Sequence, residues 1–405
     1  MSKRYIQRVI YENKVMPFLD KSLIKIFVGQ RRVGKSYVLI QTRDLLLKNI
    51  KGIVSKDIIF INKELYEFDK IRDYHDLLAY INGKSKDKRK KYVFIDEIQD
   101  ISGFEIALRD LQAKENFDIY CSGSNSKLLS SELATYLSGR YIEIEVFPLS
   151  YREFLLFHNL TNSKEVFMNY IQFGSLPYLI HLELKEEIIN DYLRNVYNSI
   201  LLKDVVERYA IRNVNFLERL VFFLSDNVGS LLSAKKISDF LKSQNINIST
   251  NVVLNYLDYL ASVLLINKTS RIEVKGKKVF EVGEKYYFTD FGIRNSLIGY
   301  RQIDISKALE NIVFMQLQVF GYKVYVGKLE SKEIDFVCEK NGIRKYIQVS
   351  YLLSDEKTVE REFNNLLAIK DNYEKYVLSM DDFIAGDFKG IKQMNIMDFL
   401  LLDEF

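Results

Sequence analysis

Eight residues, Gly29-Gln30-Arg31-Arg32-Val33-Gly34-Lys35-Ser36, have the types and the spacing to hold a chain of phosphates. The two glycines let the backbone turn tightly, so that several N–H groups can converge on one anion. Lys35 adds a positive charge that can reach the β- and γ-phosphates, and the Ser36 hydroxyl can join the shell of a magnesium ion. The stretch before the loop, "LIKIFV", is a nearly continuous apolar strand, and "KSYVLIQTRDLLLKNI" after it reads as a helix. Strand, loop and helix in that order put the phosphates on a helix N-terminus. The chemistry implied is binding of ATP with Mg²⁺.

About sixty residues further on, "YVFIDEIQD" ends a buried strand in two acids, Asp96 and Glu97. An aspartate there can hold the Mg²⁺ shell, and the adjacent glutamate can polarise a water for in-line attack on the γ-phosphate. The strand "IYCSGSN" ends in Ser124 and Asn125. A polar tip on a neighbouring strand could align the same water, with Asn125 the first choice and Ser124 the alternative. Simple strand-end capping accounts for either residue taken singly.

These residues need a scaffold that brings separate strand ends together. Five apolar strands, "LIKIFV", "KDIIFINKE", "KKYVFIDEI", "FDIYCSGS" and "RYIEIEVFPLS", alternate with helical patterns, which implies a parallel sheet in an α/β domain over residues 1–150. A helix is expected over 3–19, ahead of the first strand. From 151 to 204 helices dominate, broken at "FGSLPYL" by Gly174 and Pro177. Residues 205–300 run helix, turn, helix, then two strands around a Lys/Gly tip, the outline of a winged helix. Lys235, Lys236, Lys275, Lys277 and Lys278 could meet DNA phosphates there, although a solubilising turn explains the tip equally well. A further α/β region occupies 301–405.

The motifs "GQRRVGKS", "VFIDEIQD", "SGSNSKLLS", "LSGRYIEIEVFPLSYREF", "YYFTDFGIRN" and "ENIVFMQLQ…EIDFV…YIQVS" span nearly the whole chain. It resembles the bacterial and archaeal AAA+-type P-loop ATPases that carry a C-terminal domain of unknown function, a winged helix plus a restriction-endonuclease-like fold. The resemblance implies an extra strand between the one carrying the loop and the one carrying the acids, and a lid and connector formed by the helices of 151–204. It also draws attention to Arg140 in "LSGRY", which could neutralise charge on the γ-phosphoryl of its own chain or of a neighbour. Where the family often has a second glycine in "FGSLP", Ser175 stands.

In the tail, the resemblance to restriction-type nucleases places Glu310, Asp335 and Gln348 at the metal-binding positions. Gln348 replaces an acid, and Ser350 stands where the lysine would be. Lys345 and Lys332 lack the spacing to substitute, so the site reads as a vestige without cleavage.

Composition narrows the classes. The 405 residues are 48% apolar and 28% charged with a net charge of +4, a globular balance that neither requires nucleic acid nor excludes a basic face. Charged residues interrupt every apolar run before it reaches membrane-spanning length, and no secretory leader is recognisable. Cys121 and Cys338 therefore read as reduced thiols of a cytoplasmic protein. His75, His158 and His181 show no metal-site spacing. The expected activity is Mg-dependent ATP hydrolysis coupled to DNA, a protein partner or further copies of the chain. An ATP-sensing DNA-binding regulator and an ATP-gated nuclease are the alternatives.

Overall fold

The computed structural model describes residues 5–87, 89–125, 137, 139–243, 246–275, 283–353, 356–382 and 387–405. It falls into two units, Met1–Pro148 with Ser262–Leu264, and Leu149–Ala261 with Leu265–Phe405.

In the first unit, five strands form one sheet: β1 (Ile24–Val28), β2 (Ile58–Asn62), β3 (Lys91–Asp96), β4 (Phe117–Gly123) and β5 (Tyr141–Glu145). Their order is β2-β3-β4-β1-β5, and every neighbouring pair is parallel. The inserted strand that the family resemblance implies is β4. β1, β3 and β4 are buried over their whole length, which is why they read as mainly apolar runs rather than alternating ones, and the charges that do interrupt β1 and β4, Lys25 and Asp118, pair with each other. Ile26, Val28, Ile61, Val93 and Ile95 meet Leu108 and Leu111 of the helix Phe104–Ala113 in the core.

The register aligns the strand ends. Val28 of β1 lies beside Gly123 of β4, Ile95 of β3 beside Cys121, and Asn62 of β2 beside Asp96. Parallel sheets of this kind present ligands at their carboxyl ends. The helix expected over 3–19 is shorter: α1 covers Val9–Val15, and a 3₁₀ turn, Met16–Phe18, follows. Pro17 has no N–H for an α-helical bond, so it stops the helix there. Residues 1–4 lie outside the described residues.

The second unit holds a mixed sheet of seven strands in the order β13-β14-β12-β11-β10-β9-β7. They are β7 (Arg271–Glu273), β9 (Lys323–Leu329), β10 (Lys332–Lys340), β11 (Ile343–Val349), β12 (Glu374–Ser379), β13 (Asp387–Phe388) and β14 (Ile391–Asn395). The hairpin expected near 265–289 is divided between two sheets. β6 (Ile266–Thr269) pairs antiparallel with β8 (Lys285–Phe288), while β7 pairs in parallel with β9. Residues of the 205–300 segment thus complete the sheet of the 301–405 segment. Lys277 and Lys278 lie outside the described residues.

Two glycine-containing motifs meet inside this unit. The buried Asp290 carboxylate caps the helix Phe291–Ile298 by accepting the Ile293 N–H at 3.0 Å, and it also accepts the Ser175 N–H at 2.7 Å. Asn295 of the same helix donates to the carbonyls of Ile171 and Gln172 at 3.0 and 2.9 Å. "FGSLP" and "TDFGIRN" are therefore two halves of one packed joint. A Cβ on Gly292 would lie 2.1 Å from the Phe173 carbonyl oxygen, and one on Gly174 2.3 Å from Asp290 Oδ1.

Gly292→Ala should lower stability by about 1–3 kcal/mol, since the obstacle is backbone that cannot swing aside. Urea unfolding of the variant beside wild type measures this, and an unchanged midpoint would show that the joint can open without loss.

Candidate functional site

The loop begins where β1 ends. A Cβ on Gly29 would come within 2.3 Å of the Val146 carbonyl oxygen, so only glycine lets the loop leave the strand here. At its other end Gly34 takes φ 94°, a left-handed conformation that glycine adopts without strain, and α2 (Lys35–Asn49) starts immediately after it. Gln30 is fully buried, and both polar atoms of its side chain lack a hydrogen-bond partner among the described residues. Arg31 acts on the same site, since its charge helps hold Glu97 ionised. Arg32 sits in the turn at φ 72°, and Val33 is buried.

Lys35 is buried and lies within hydrogen-bond reach of the Gly29 and Gln30 carbonyls, at 3.1 and 3.2 Å. Its ammonium is 3.6 Å from Glu97 Oε1. Asp96 ends β3 and is buried, and Ser122 of β4 donates to its Oδ1. The other oxygen, Asp96 Oδ2, is buried with no hydrogen-bond partner among the described residues. Burial pushes this carboxyl above its ordinary range, with the Glu97 charge adding to the rise; the Ser122 and Ser36 hydroxyls and Lys35 act the other way. An unsatisfied carboxylate oxygen beside a serine hydroxyl fits a hard divalent cation, the donor set that Mg²⁺ takes.

Glu97 adopts φ 54°, ψ 54°, a left-handed conformation that costs a non-glycine residue roughly 1–2 kcal/mol. Its N–H donates to Ser122 Oγ at 3.1 Å, and Gln99 Nε2 bonds its carboxylate while reaching Ser124 Oγ at 3.4 Å. Burial raises the Glu97 carboxyl, but Lys35, Gln99 and Arg31 together bring it below the usual carboxylate range. It is ionised at neutral pH. Asn125, also buried, follows β4 by two residues and so lies between the loop strand and the acid strand.

One end of the sheet thus gathers residues 29–36, Asp96, Glu97, Ser124 and Asn125. Gln99 and Ser122, which orient both acids, were not singled out by sequence. Their only signal was polarity at the end of a buried strand.

Comparison with known proteins matches this architecture. Residues 21–155 match a family described as an AAA domain, and 164–304 match a domain of unknown function. An uncharacterized protein of Haemophilus influenzae is 36% identical, the match covering 99% of this chain and all of that one. An uncharacterized protein of Methanocaldococcus jannaschii is 32% identical over 86% of this chain and 79% of its own. The chain belongs to their family, an AAA-domain family. Among solved structures it is similar to a Walker-type ATPase of Pyrococcus abyssi, at 16% identity and TM-score 0.48, over 73% of this chain and 96% of that one. Among the described residues of this AAA-domain protein, no helix is long and apolar enough to cross a membrane.

Arg140 is not part of the gathered site. It is exposed and directly precedes Tyr141, which pairs with Ile24 at the start of β1. Four strand residues, roughly 13 Å, separate that level from Val28 and the loop. That is farther than an arginine side chain reaches; the sequence leaves open whether Arg140 serves its own chain or a neighbour.

In the second unit, Glu310, Asp335 and Gln348 do come together, but with partners that the sequence did not reveal. Lys285 of β8 is buried and pairs with Glu310 and Glu333, each at 2.8 Å, and Tyr287 donates to Glu310 at 2.6 Å. Gln348 accepts the Asp335 N–H at 2.7 Å and donates to Glu362 at 2.6 Å, while Asp335 Oδ2 accepts the Val349 N–H at 2.9 Å. Lys345 and Lys332 are engaged elsewhere, with Glu374 and the Asn364 carbonyl. Burial and the nearby Glu310 charge push the Asp335 carboxyl up to about 8, against the pull of Lys285.

The folded chain therefore keeps a proton on Asp335 that the unfolded chain releases near its ordinary 3.8. This contribution to stability is full below that value and is lost progressively as pH rises to about 8. Asp335→Asn should abolish that decline. Thermal unfolding across this range should show the variant gaining on wild type as pH rises, with the gap constant above it. A gap independent of pH would mean that Asp335 is ionised throughout.

Proposed function

We propose that the protein hydrolyses ATP with Mg²⁺ and couples the cycle to a macromolecular partner, DNA or protein, held by residues 149–405. The observation that carries this reading is the ion pair of Lys35, at the start of the helix that follows β1, with Glu97, directly after β3, beside an Asp96 oxygen with no partner among the described residues. The loop N–H groups and the start of α2 would cradle the phosphates, and Lys35 would neutralise the outer ones. Ser36 and Asp96 would hold the cation, which supplies charge neutralisation at the phosphoryl oxygens when bound. Glu97, kept ionised, accepts a proton from the attacking water as its oxygen approaches phosphorus. Gln99 keeps the carboxylate turned, and Asn125 is the candidate to hold the water in line. Arg140, too far from its own loop, would serve the nucleotide of a neighbouring copy, which makes a homo-oligomer the working form.

The reading of 205–300 as a winged helix rests on its helices, followed by the β6–β8 pair. Lys235 and Lys236 are exposed on the helix Ala234–Ser243, whereas Lys275 is already paired with Glu330 at 2.6 Å. The endonuclease-like reading of 301–405 rests on Glu310 and Asp335 facing Gln348 across adjacent elements. Here Lys285 supplies a positive charge, but Glu310 and Glu333 take it up, and Gln348 is spent on Asp335 and Glu362. A closed network of this kind supports recognition or assembly rather than cleavage.

Lys35→Ala should abolish MgATP binding in calorimetry, and Glu97→Gln should bind normally with turnover lowered at least about a hundredfold. Equal affinity for wild type and Lys35→Ala would sink the nucleotide site, and wild-type turnover in Glu97→Gln would move the base elsewhere.

Duplex DNA is expected to bind with an affinity that falls steeply as salt is added, and to remain uncut with Mg²⁺ or Mn²⁺, with or without ATP. Salt-independent binding would leave a protein as the partner, and strand breaks that vanish in Asp335→Ala would establish a nuclease.

A further inference from the structure

Arg8 lies ahead of the segment that matches the AAA domain, on the residue that caps α1. Its guanidinium is buried, and it is spent on main-chain oxygens from two distant places. Nη1 donates to the carbonyls of Val33 and Phe147, both at 3.0 Å, and Nη2 donates to the carbonyl of Pro148 at 3.2 Å. Val33 belongs to the phosphate loop, and Phe147 and Pro148 follow β5 at the point where the first unit ends.

We propose that Arg8 is a positioning residue for the phosphate loop, tying its outer carbonyl to the end of β5 so that nucleotide held by the loop is registered at Phe147–Pro148. The proposal rests on the reading of the loop as an ATP site.

The peptide bond following Val33 is trans and planar, so its C=O and the Gly34 N–H point in opposite directions. With the oxygen drawn to Arg8 on the outside, the Gly34 N–H is turned to the inside of the loop, just ahead of Lys35. A cation on that oxygen also polarises the same peptide, which strengthens its N–H as a donor to an anion.

Arg8 is itself held in place. Its N–H donates to Gln41 Oε1 and its carbonyl accepts from Gln41 Nε2, both at 3.1 Å, and Gln41 belongs to α2, the helix that the loop opens. The Tyr11 ring lies 4.6 Å from the guanidinium carbon, and its hydroxyl accepts the Phe147 N–H at 2.9 Å. The Val146 N–H donates to the Val28 carbonyl at 2.6 Å, and the Val146 oxygen leaves no room for a side chain on Gly29. The loop is therefore fastened to the strand end at Val28, the residue before it, directly and at its fifth residue through Arg8. A shift of the loop has to pass into residues 146–148.

The test uses the full chain with MgATP and MgADP as probes. Wild type, Arg8→Lys and Arg8→Ala are compared by calorimetry, with thermal unfolding to establish the folded fraction and hydrogen exchange of the peptide around 141–149 with and without ATP. Lysine keeps the charge but cannot fork to three carbonyls. The expected result is that ATP slows exchange around 141–149 in wild type. Both variants should lose about tenfold or more in affinity per folded molecule, Arg8→Ala the most, and should lose the ATP effect on exchange. Methylguanidinium should restore part of the affinity of Arg8→Ala. A lowered melting temperature with wild-type affinity and a wild-type exchange response would overturn the proposal and leave Arg8 a structural residue. If Arg8→Ala does not fold, Arg8→Lys decides by the same two readouts. Absence of MgATP binding by wild type would instead bring down the nucleotide reading itself, and the Arg8 proposal with it.

Discussion

Everything at the candidate site depends on holding the Lys35 ammonium against the Glu97 carboxylate in a place that water barely reaches. A buried charge is costly unless it is paired and hydrogen-bonded, and here Lys35 is the main charge offsetting Glu97, while its own ammonium also meets the Gly29 and Gln30 carbonyls. Placing them 3.6 Å apart requires the loop of β1 and the end of β3 to meet above an intervening strand. β4 is that strand, and its Ser122 reaches both acids. The strained backbone of Glu97 follows from the same demand, because the chain must turn sharply to direct the carboxylate back toward Lys35. Buried charge is paired at this end of the sheet, as it is at the other, where Lys25 of β1 meets Asp118 of β4.

The part of this site that was legible in the sequence is the part made by contiguous residues. Gly29, Gly34, Lys35 and Ser36 announce a loop because a tight turn, a charge and a hydroxyl are needed within eight positions. Asp96 and Glu97 announce themselves as acids closing an apolar run. Arg8 was not legible, because its acceptors lie 25 and 139 residues away and nothing local distinguishes it from a surface arginine. Arg140 was legible as a candidate but not as a location. Only the pairing of Tyr141 with Ile24 shows that it sits at the far end of the sheet.

The second unit gives the opposite lesson. Two of its motifs, "FGSLP", which reads as a turn between helices, and "TDFGIRN", are the two faces of a joint. Their glycines remove side chains where main chains touch, and Asp290 and Asn295 satisfy backbone groups that the joint would otherwise bury alone. Around Glu310 the reverse happens. Residues that look like remnants of a metal site are absorbed into a salt-bridged network, with its lysine contributed by β8 rather than by the strand of Gln348. Spacing rules cannot find such a lysine, since they count along one strand and this one arrives from a different sheet.

The division of the 265–289 segment between two sheets also bears on how the chain reaches its final form. Ser175 must await Asp290, 115 residues later, and the carbonyl of Ile171 must await Asn295. β7 likewise stays an edge without a sheet until β9 has been made. During synthesis at the ribosome, these early helices would stand exposed while more than a hundred further residues emerge. Closures of that span raise the entropic barrier and slow assembly. The parallel sheet of the first unit makes the same demand, since Ile24 of β1 must await Tyr141 of β5, 117 residues later, so both units would need protection while they emerge.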